Sequence, residues 1–282
     1  MVEVLKTGLL DTVQDPGRLG YAEYGVPISG VMDSYSAAVA NGILGNSLNA
    51  AVIEIIATGP KLQFEIDTQL CISGANISPK INDVPITNNQ CVFVAKGDIL
   101  SFGKLLYGCR AYIAIAGGFL TPSVLGSRSM YQTITKSSQL SKGSKIKIAE
   151  SQKKQSPNYS TVAVNDHHFN SEIIEVYEGP EFELLNQMQQ EWLFCTTFTL
   201  SNKSNRMAYQ IEETLNNDLQ DIITSLVLPG TIQLTPSGQM MILMRDCQTT
   251  GGYPRILQLE EASINRLSQK IFGSKIRLKR KN

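Results

Sequence analysis

Gly97-Asp98-Ile99-Leu100-Ser101-Phe102-Gly103 runs on through Arg110-Ala111-Tyr112-Ile113-Ala114-Ile115-Ala116 to Gly117-Gly118, and the same order returns further along the chain. There Gly230-Thr231-Ile232-Gln233-Leu234-Thr235 is followed by Ser237-Gly238, then Met241-Ile242-Leu243-Met244, then Gly251-Gly252. The spacing from first Gly to Gly-Gly is nearly the same, from position 97 to 117 and from 230 to 251. Upstream, Val52-Ile53-Glu54-Ile55-Ile56 leads to Gly59-Pro60 with Leu62, Phe64 and Ile66 alternating beyond, as Ile173-Ile174-Glu175-Val176-Tyr177 leads to Gly179-Pro180 with Phe182 and Leu184. Repeated order at shared spacing predicts an internal duplication. The chain therefore reads as two related β-rich lobes, each closing on a Gly-Gly loop, with the chemistry placed between those loops.

Short apolar runs bounded by Gly, Pro, Asn and Asp, several with period two, are the pattern of strands. Tyr112 to Ala116 is continuous and rich in small residues, as a strand buried on both faces would be. Three helices are expected. Asp33 or Ser34 would cap one through Leu44, ended by Gly45-Asn46. Pro180 would open a second carrying Phe182, Leu185 and Trp192 on one face. Glu260 to Ile271 would form a third, stopped at Gly273. The polar, Pro-containing run 150–161 reads as a linker, giving lobes 1–149 and 162–282. Few helices and many strands make this a mostly β fold of two closed barrels or sandwiches.

Composition narrows the function. Among 282 residues, Lys plus Arg and Asp plus Glu are equal at 25 each, so nothing pulls the chain toward nucleic acid or an anionic membrane. The basic tail Lys275 to Lys281 reads as a solvated last strand. No basic flank precedes an apolar core at the N-terminus and no run reaches the ~20 apolar residues of a span, so a cytoplasmic protein without signal peptide is expected. Five scattered cysteines with no Cys-x-x-Cys pair predict buried free thiols and no metal site. The two histidines, His167 and His168, are adjacent and follow the linker, so acid–base work is expected from carboxylates, Tyr, Lys or backbone dipoles.

The candidate site residues cluster in loops. Gln14-Asp15-Pro16-Gly17-Arg18 packs an acid and a cation around a Pro-Gly turn, able to aim Asp15 and Arg18 at a substrate or simply to face water. Asp33 is a helix cap whose helix could hold an anion. Arg110 heads the strand ending at Gly117 and Gly118, whose amides could cradle an anion, and Ser127 and Arg128 follow. Asp246-Cys247-Gln248-Thr249-Thr250-Gly251-Gly252-Tyr253-Pro254 sets an acid, an amide, hydroxyls, bare backbone and a Tyr within nine residues, more than a β-turn needs. Gly97 to Lys104 is one residue too long for a P-loop and has Leu105 where Mg²⁺ would need a hydroxyl. A Gly-x-Gly-x-x-Gly dinucleotide motif and a Met-Lys-Met biotin attachment site are both missing.

Together these stretches resemble the biotin-dependent carboxyltransferase-like family, also called the allophanate hydrolase subunit 2 family, over nearly the whole chain. The motifs that carry the resemblance are Gln14-Asp15-Pro16-Gly17-Arg18, Gly25-Val26-Pro27 with Ser29-Gly30 and Met32-Asp33, and Ala40-Asn41 with Gly45-Asn46. They continue through Glu54 with Gly59-Pro60, Gly74-Ala75, Arg110-Ala111-Tyr112 with Gly117-Gly118, Gly126-Ser127-Arg128-Ser129, Arg206-Met207 and Gln248 to Pro254. The family includes the C-type component of the ATP-dependent 5-oxoprolinase, the antagonist of a sporulation-kinase inhibitor and the carboxyltransferase part of urea carboxylase. The resemblance implies two cyclophilin-like β-barrel lobes and joint work with related B-type and A-type components. The assembly would open 5-oxoproline to glutamate using ATP, which the complex rather than a P-loop in this chain would bind. It further implies Arg110, Arg128 and Arg206 as anion grips and Asp15 and Asp246 as acid–base or orienting groups. Arg18 and Gln248 would join them in catalysis. Asp33, Ser127, Thr249, Thr250 and Tyr253 would line the substrate, and Gly117, Gly118, Gly251 and Gly252 would donate from backbone. A carboxyltransferase acting on biotin borne by another chain, and a non-catalytic regulator of a B-type partner, are the alternatives. The chain departs from the family pattern at Met130, Asn205, Ala208, Gln210 and Cys247.

Overall fold

The computed structural model describes residues 1–149 and 165–281, so the linker expected at 150–161 lies outside the described residues. The chain divides into two compact units. One comprises Met1–Arg18 and Ser29–Phe169, the other Leu19–Ile28 and Asn170–Asn282. The fold is mostly β, as the alternating runs predict.

In the first unit, a six-stranded sheet has the order Lys145–Ile146, Val2–Lys6, Lys61–Phe64, Ile99–Ser101, Lys80–Ile81, Val84–Pro85. A five-stranded sheet has the order Asp11–Gln14, Val52–Ile56, Tyr107–Ile115, Thr68–Asn76, Val92–Val94. On one face of the five-stranded sheet Ile53, Ile55, Ala111, Ile113 and Ile115 pack with Val2, Val4, Leu62, Phe64 and Leu100 of the other sheet. Each such large side chain contributes about 1.5–3 kcal/mol by leaving water. The opposite face presents Val52, Cys71, Tyr112 and Ala114 to Ala37, Ala40 and Leu44 of the helix Ser34–Ile43 and its end. That double burial is why Tyr112 to Ala116 lacks polar alternation. The helix starts where expected, with Asp33 as N-cap accepting from the Ser36 amide at 3.1 Å, and turns out at Gly45 with φ 65°.

One glycine is dictated by close approach. Gly74 has φ 89°, and a Cβ there would stand 2.5 Å from the Arg110 carbonyl oxygen. The strand pair slips register at this place, between Tyr107 and Ala111, so the backbone of Arg110 passes close over Gly74.

The second unit holds a seven-stranded sheet ordered Thr197–Thr199, Lys275–Arg280, Ile173–Glu178, Arg255–Leu259, Thr231–Leu234, Gln239–Leu243, Ala208–Thr214. Lys275–Arg280 runs parallel to Ile173–Glu178 and buries Ile276 and Leu278 while its basic residues point outward. Ser225–Leu226 and Thr250–Gly251 form a separate ribbon.

Local details differ from expectation in two helices. Pro180 does not open a helix: a short 3-10 turn, Phe182–Leu184, ends at an extended Leu185. The helix proper, Gln187–Cys195, begins at Asn186, whose side chain and that of Gln189 form a reciprocal capping box. The last helix is shorter than its pattern, Glu261–Ser268. The two Gly-Gly pairs also differ. Gly117 and Gly118 are left-handed turn residues with φ of 77° and 80°, whereas Gly251 is extended within the ribbon, where a Cβ would meet Gln233 Nε2 at 2.5 Å.

Candidate functional site

The site residues of the first unit lie along a buried polar seam on the helix side of the five-stranded sheet. It begins at the Pro-Gly turn. The Asp15 carboxylate accepts from Gly17 N at 2.9 Å, Ser127 Oγ at 2.5 Å, Ser129 Oγ at 2.7 Å and Arg128 N at 2.6 Å. Four donors on one buried carboxylate make it the knot tying the turn to residues 127–129. Arg18 is almost wholly buried and donates through Nη2 to the Ser129 carbonyl. Arg128 donates through Nη1 to the Thr121 carbonyl.

The backbone then crosses to the sheet. Val31 N donates to Asp15 O at 3.0 Å, and Met32 N donates to Glu54 Oε2 at 2.8 Å. Glu54 pairs with Arg110, Oε1 to Nε 3.7 Å, and both are buried. Tyr112 stands opposite Glu54 in the register and accepts the Asp33 amide on its hydroxyl at 2.8 Å. Burial, and then the neighbouring carboxylates of Glu54 and Asp33, hold the Tyr112 phenol well above its usual range, so it stays protonated. Asp33, fully buried, accepts Ser36 Oγ on Oδ2 at 2.6 Å and lies 2.7 Å from His168 Nε2 on the same oxygen.

The Gly117-Gly118 turn keeps its amides for the protein. Gly117 N donates to Asn46 Oδ1 at 2.8 Å and Gly118 N to Ile115 O at 2.8 Å. Asn46 Nδ2 in turn donates to Asn41 Oδ1 and to Ile115 O. The Ala40-Asn41 and Gly45-Asn46 motifs therefore buttress the turn.

In the second unit Arg206 grips Asp246 with two parallel bonds, Nε to Oδ2 at 2.8 Å and Nη2 to Oδ1 at 3.0 Å. An anion grip and an acid candidate are thus each other's partners. Cys247 is buried beside them, and burial, reinforced by Asp246, pushes its thiol up to about 12. Gln248 Nε2 donates to Gln233 Oε1 at 3.4 Å, and Gln233 Nε2 to Tyr253 O at 3.3 Å. Thr249 O and Gly252 O accept from Val227 N and Ile222 N, while Thr250 and the Tyr253 side chain are exposed. Next to this loop, Arg255 forks onto Glu181 through Nε at 3.0 Å and Nη2 at 2.8 Å, which lowers the Glu181 carboxyl.

All four candidate arginines, Arg18, Arg110, Arg128 and Arg206, thus donate to or pair with a protein acceptor. Of the departures from the family pattern, Met130, Asn205 and Cys247 serve packing and turns. Met130 Sδ accepts Val13 N, Asn205 Oδ1 accepts the amides of Met207 and Ala208, and Cys247 packs with Val227 and Leu243. Among the described residues, no three of His, Cys, Asp and Glu are grouped to hold a metal ion, and no helix is long and apolar enough to cross a membrane. Sequence reasoning missed Tyr112, His168, Ser129 and the Glu181–Arg255 fork as site components. Glu54 carried a signal, an acid inside the apolar run Val52–Ile56. His168 carried none, because its partner lies 135 positions away.

A mostly β fold with this seam and the Gln248 to Pro254 loop fits one family. The chain belongs to the carboxyltransferase domain family, subdomains A and B, whose model matches residues 24–280. It is 29% identical to the C-type component of 5-oxoprolinase from Escherichia coli strain K12, with 98% of this chain and 90% of that protein covered. To the corresponding 5-oxoprolinase component of Haemophilus influenzae it is 30% identical with the same coverage. The solved urea carboxylase of Kluyveromyces lactis matches 98% of the chain with a TM-score of 0.87 at 29% identity, and the chain spans 27% of that protein.

Proposed function

We propose that this chain is the C-type component of an ATP-dependent 5-oxoprolinase, acting in the cytoplasm with related B-type and A-type components to open 5-oxoproline to glutamate. The observation that carries the reading is mutual coverage: 98% of the chain aligns with 90% of a C-type 5-oxoprolinase component. The chemistry asks for an activated amide carbonyl and a held oxyanion. In this reading the first-unit seam contributes rigid polar groups, and the nucleotide is bound by the assembled complex, since each candidate arginine here already serves a protein acceptor. Mixing the chain with its B-type and A-type partners, ATP and 5-oxoproline should yield glutamate and ADP, with none when this chain is omitted. A complete mixture that forms no glutamate overturns the reading.

The similarity to urea carboxylase supports a second reading, transfer of a carboxyl group from biotin carried on another chain. That reading requires a biotinylated protein to co-purify with this chain. Co-purification with B-type and A-type components alone favours the first.

A further inference from the structure

We infer that Asp33 and His168 form a proton-transfer dyad in the first unit. Asp33 is the positioning residue, and Nδ1 of His168 is the atom that carries the proton. The inference rests on the amide-opening reading above.

The tautomer follows from the hydrogen bonds. Asp33 Oδ1 accepts the Ser36 amide at 3.1 Å, and Oδ2 accepts Ser36 Oγ at 2.6 Å. Asp33 caps the ten-residue helix Ser34–Ile43, so its side chain is used as a hydrogen-bond acceptor on both oxygens. With its oxygens accepting from Ser36, the carboxylate is placed as an acceptor toward the ring as well, so the hydrogen between Oδ2 and Nε2, 2.7 Å apart, sits on the ring nitrogen. The lone pair is then on Nδ1, which has no hydrogen-bond partner among the described residues.

The ring is also held in place. Tyr35 lies 4.9 Å from it, centroid to centroid, and Phe169 meets it edge-on at 5.0 Å, itself backed by Tyr107 at 5.1 Å. Asp33 cannot swing, because its amide is tied to the hydroxyl of fully buried Tyr112. The His168 side chain keeps 10% of its surface exposed and Asp33 none, so the pair is dry on one side and open on the other.

The titratable groups around the ring are Asp33 and Tyr35 from the helix and Tyr107 from the long strand. The Tyr107 phenol is raised by burial and by Asp166. Behind Asp33 stand Tyr112, Glu54 and Arg110. The carboxylate of Asp33 is placed to stabilise the imidazolium while it holds the proton, the part an acid plays behind a catalytic histidine. In the step, the oxygen of water bonds to the activated carbonyl carbon and its proton passes to Nδ1. The proton then moves to the lactam nitrogen as the C–N bond breaks, so the ring ends as it began.

His168→Gln separates a proton carrier from a mere latch, since the Gln amide can still donate to Asp33 but cannot carry a proton. In the reconstituted mixture it should lower kcat about 10²–10⁴-fold and remove the acid limb of the pH–rate profile. Tm and partner binding should stay unchanged. His167→Gln, at an exposed neighbour, should behave as wild type. A His168→Gln chain that turns over within about threefold of wild type overturns the dyad. If the wild-type mixture makes no glutamate, the activity reading fails and the dyad is judged by ¹⁵N NMR. The chain has two histidines, so His167→Gln leaves one imidazole to observe. An Nε2–H tautomer that becomes a mixture on adding Asp33→Asn supports the dyad. An Nδ1–H tautomer, or no change with Asp33→Asn, overturns it.

Discussion

Asp15 and Asp11 sit four positions apart, yet burial treats them differently. Asp15 accepts from two hydroxyls and two amides. Asp11, also buried, receives only the Gly8 amide, at 2.6 Å. Desolvation therefore raises its carboxyl from 3.8 to about 6, with the Gly8 bond pulling part of the way back. Below pH 3.8 the acid is protonated folded and unfolded alike. Between there and about 6 the folded state holds a proton that the unfolded chain has released. Stability should accordingly fall as pH rises through this window, by about 1–3 kcal/mol, and then level off. Asp11→Asn should flatten that portion of the curve, measured by urea unfolding across roughly pH 4 to 7. A mutant that still follows the wild-type slope would show that another group is responsible.

Elements meet the site through backbone as much as side chain. The strands Thr68–Asn76 and Tyr107–Ile115 pass so close at Gly74 that only hydrogen fits beneath the Arg110 carbonyl. Gly74→Ala combines that clash with a left-handed φ that L-residues resist. It should cost about 2–4 kcal/mol and disturb Arg110 against Glu54, lowering the unfolding temperature more than Gly97→Ala does. Gly97 also has positive φ but open space around it. Equal losses in the two variants by thermal unfolding would remove close approach as the cause. The element at Pro180 shows the limit of pattern. Pro180, Phe182, Leu185 and Trp192 read as one amphipathic helix, but Asn186 offers a capping box that starts the helix later. A cap satisfies amide donors that a helix begun earlier would leave to other partners, so local hydrogen bonding outweighs spacing.

At the scale of the molecule the chain is not cut once. Residues Leu19–Ile28 cluster with Asn170–Asn282, and residues up to Phe169 cluster with the first unit. A fragment 1–149 would therefore lack His168 and Phe169, and a fragment 162–282 would lack Leu19–Ile28. Each should show weaker hydrogen-exchange protection than the same residues in the whole chain. Protection equal to that of the whole chain would mean these segments add nothing to the units they join. The sequence alone determined the β class, the helix after Asp33, the doubly buried strand at Tyr112–Ala116 and the family, because strand period, caps and turn glycines are local and survive in linear order. The tertiary structure alone decided which candidates meet. Arg206 closes on Asp246, Asp15 is spent on Ser127, Ser129 and Arg128, the Gly117 amide goes to Asn46, and His168 lands on Asp33. These partners are separated by 40 to 135 positions, and hydrogen bonds at such separations are selected by packing, which leaves no period or spacing to read.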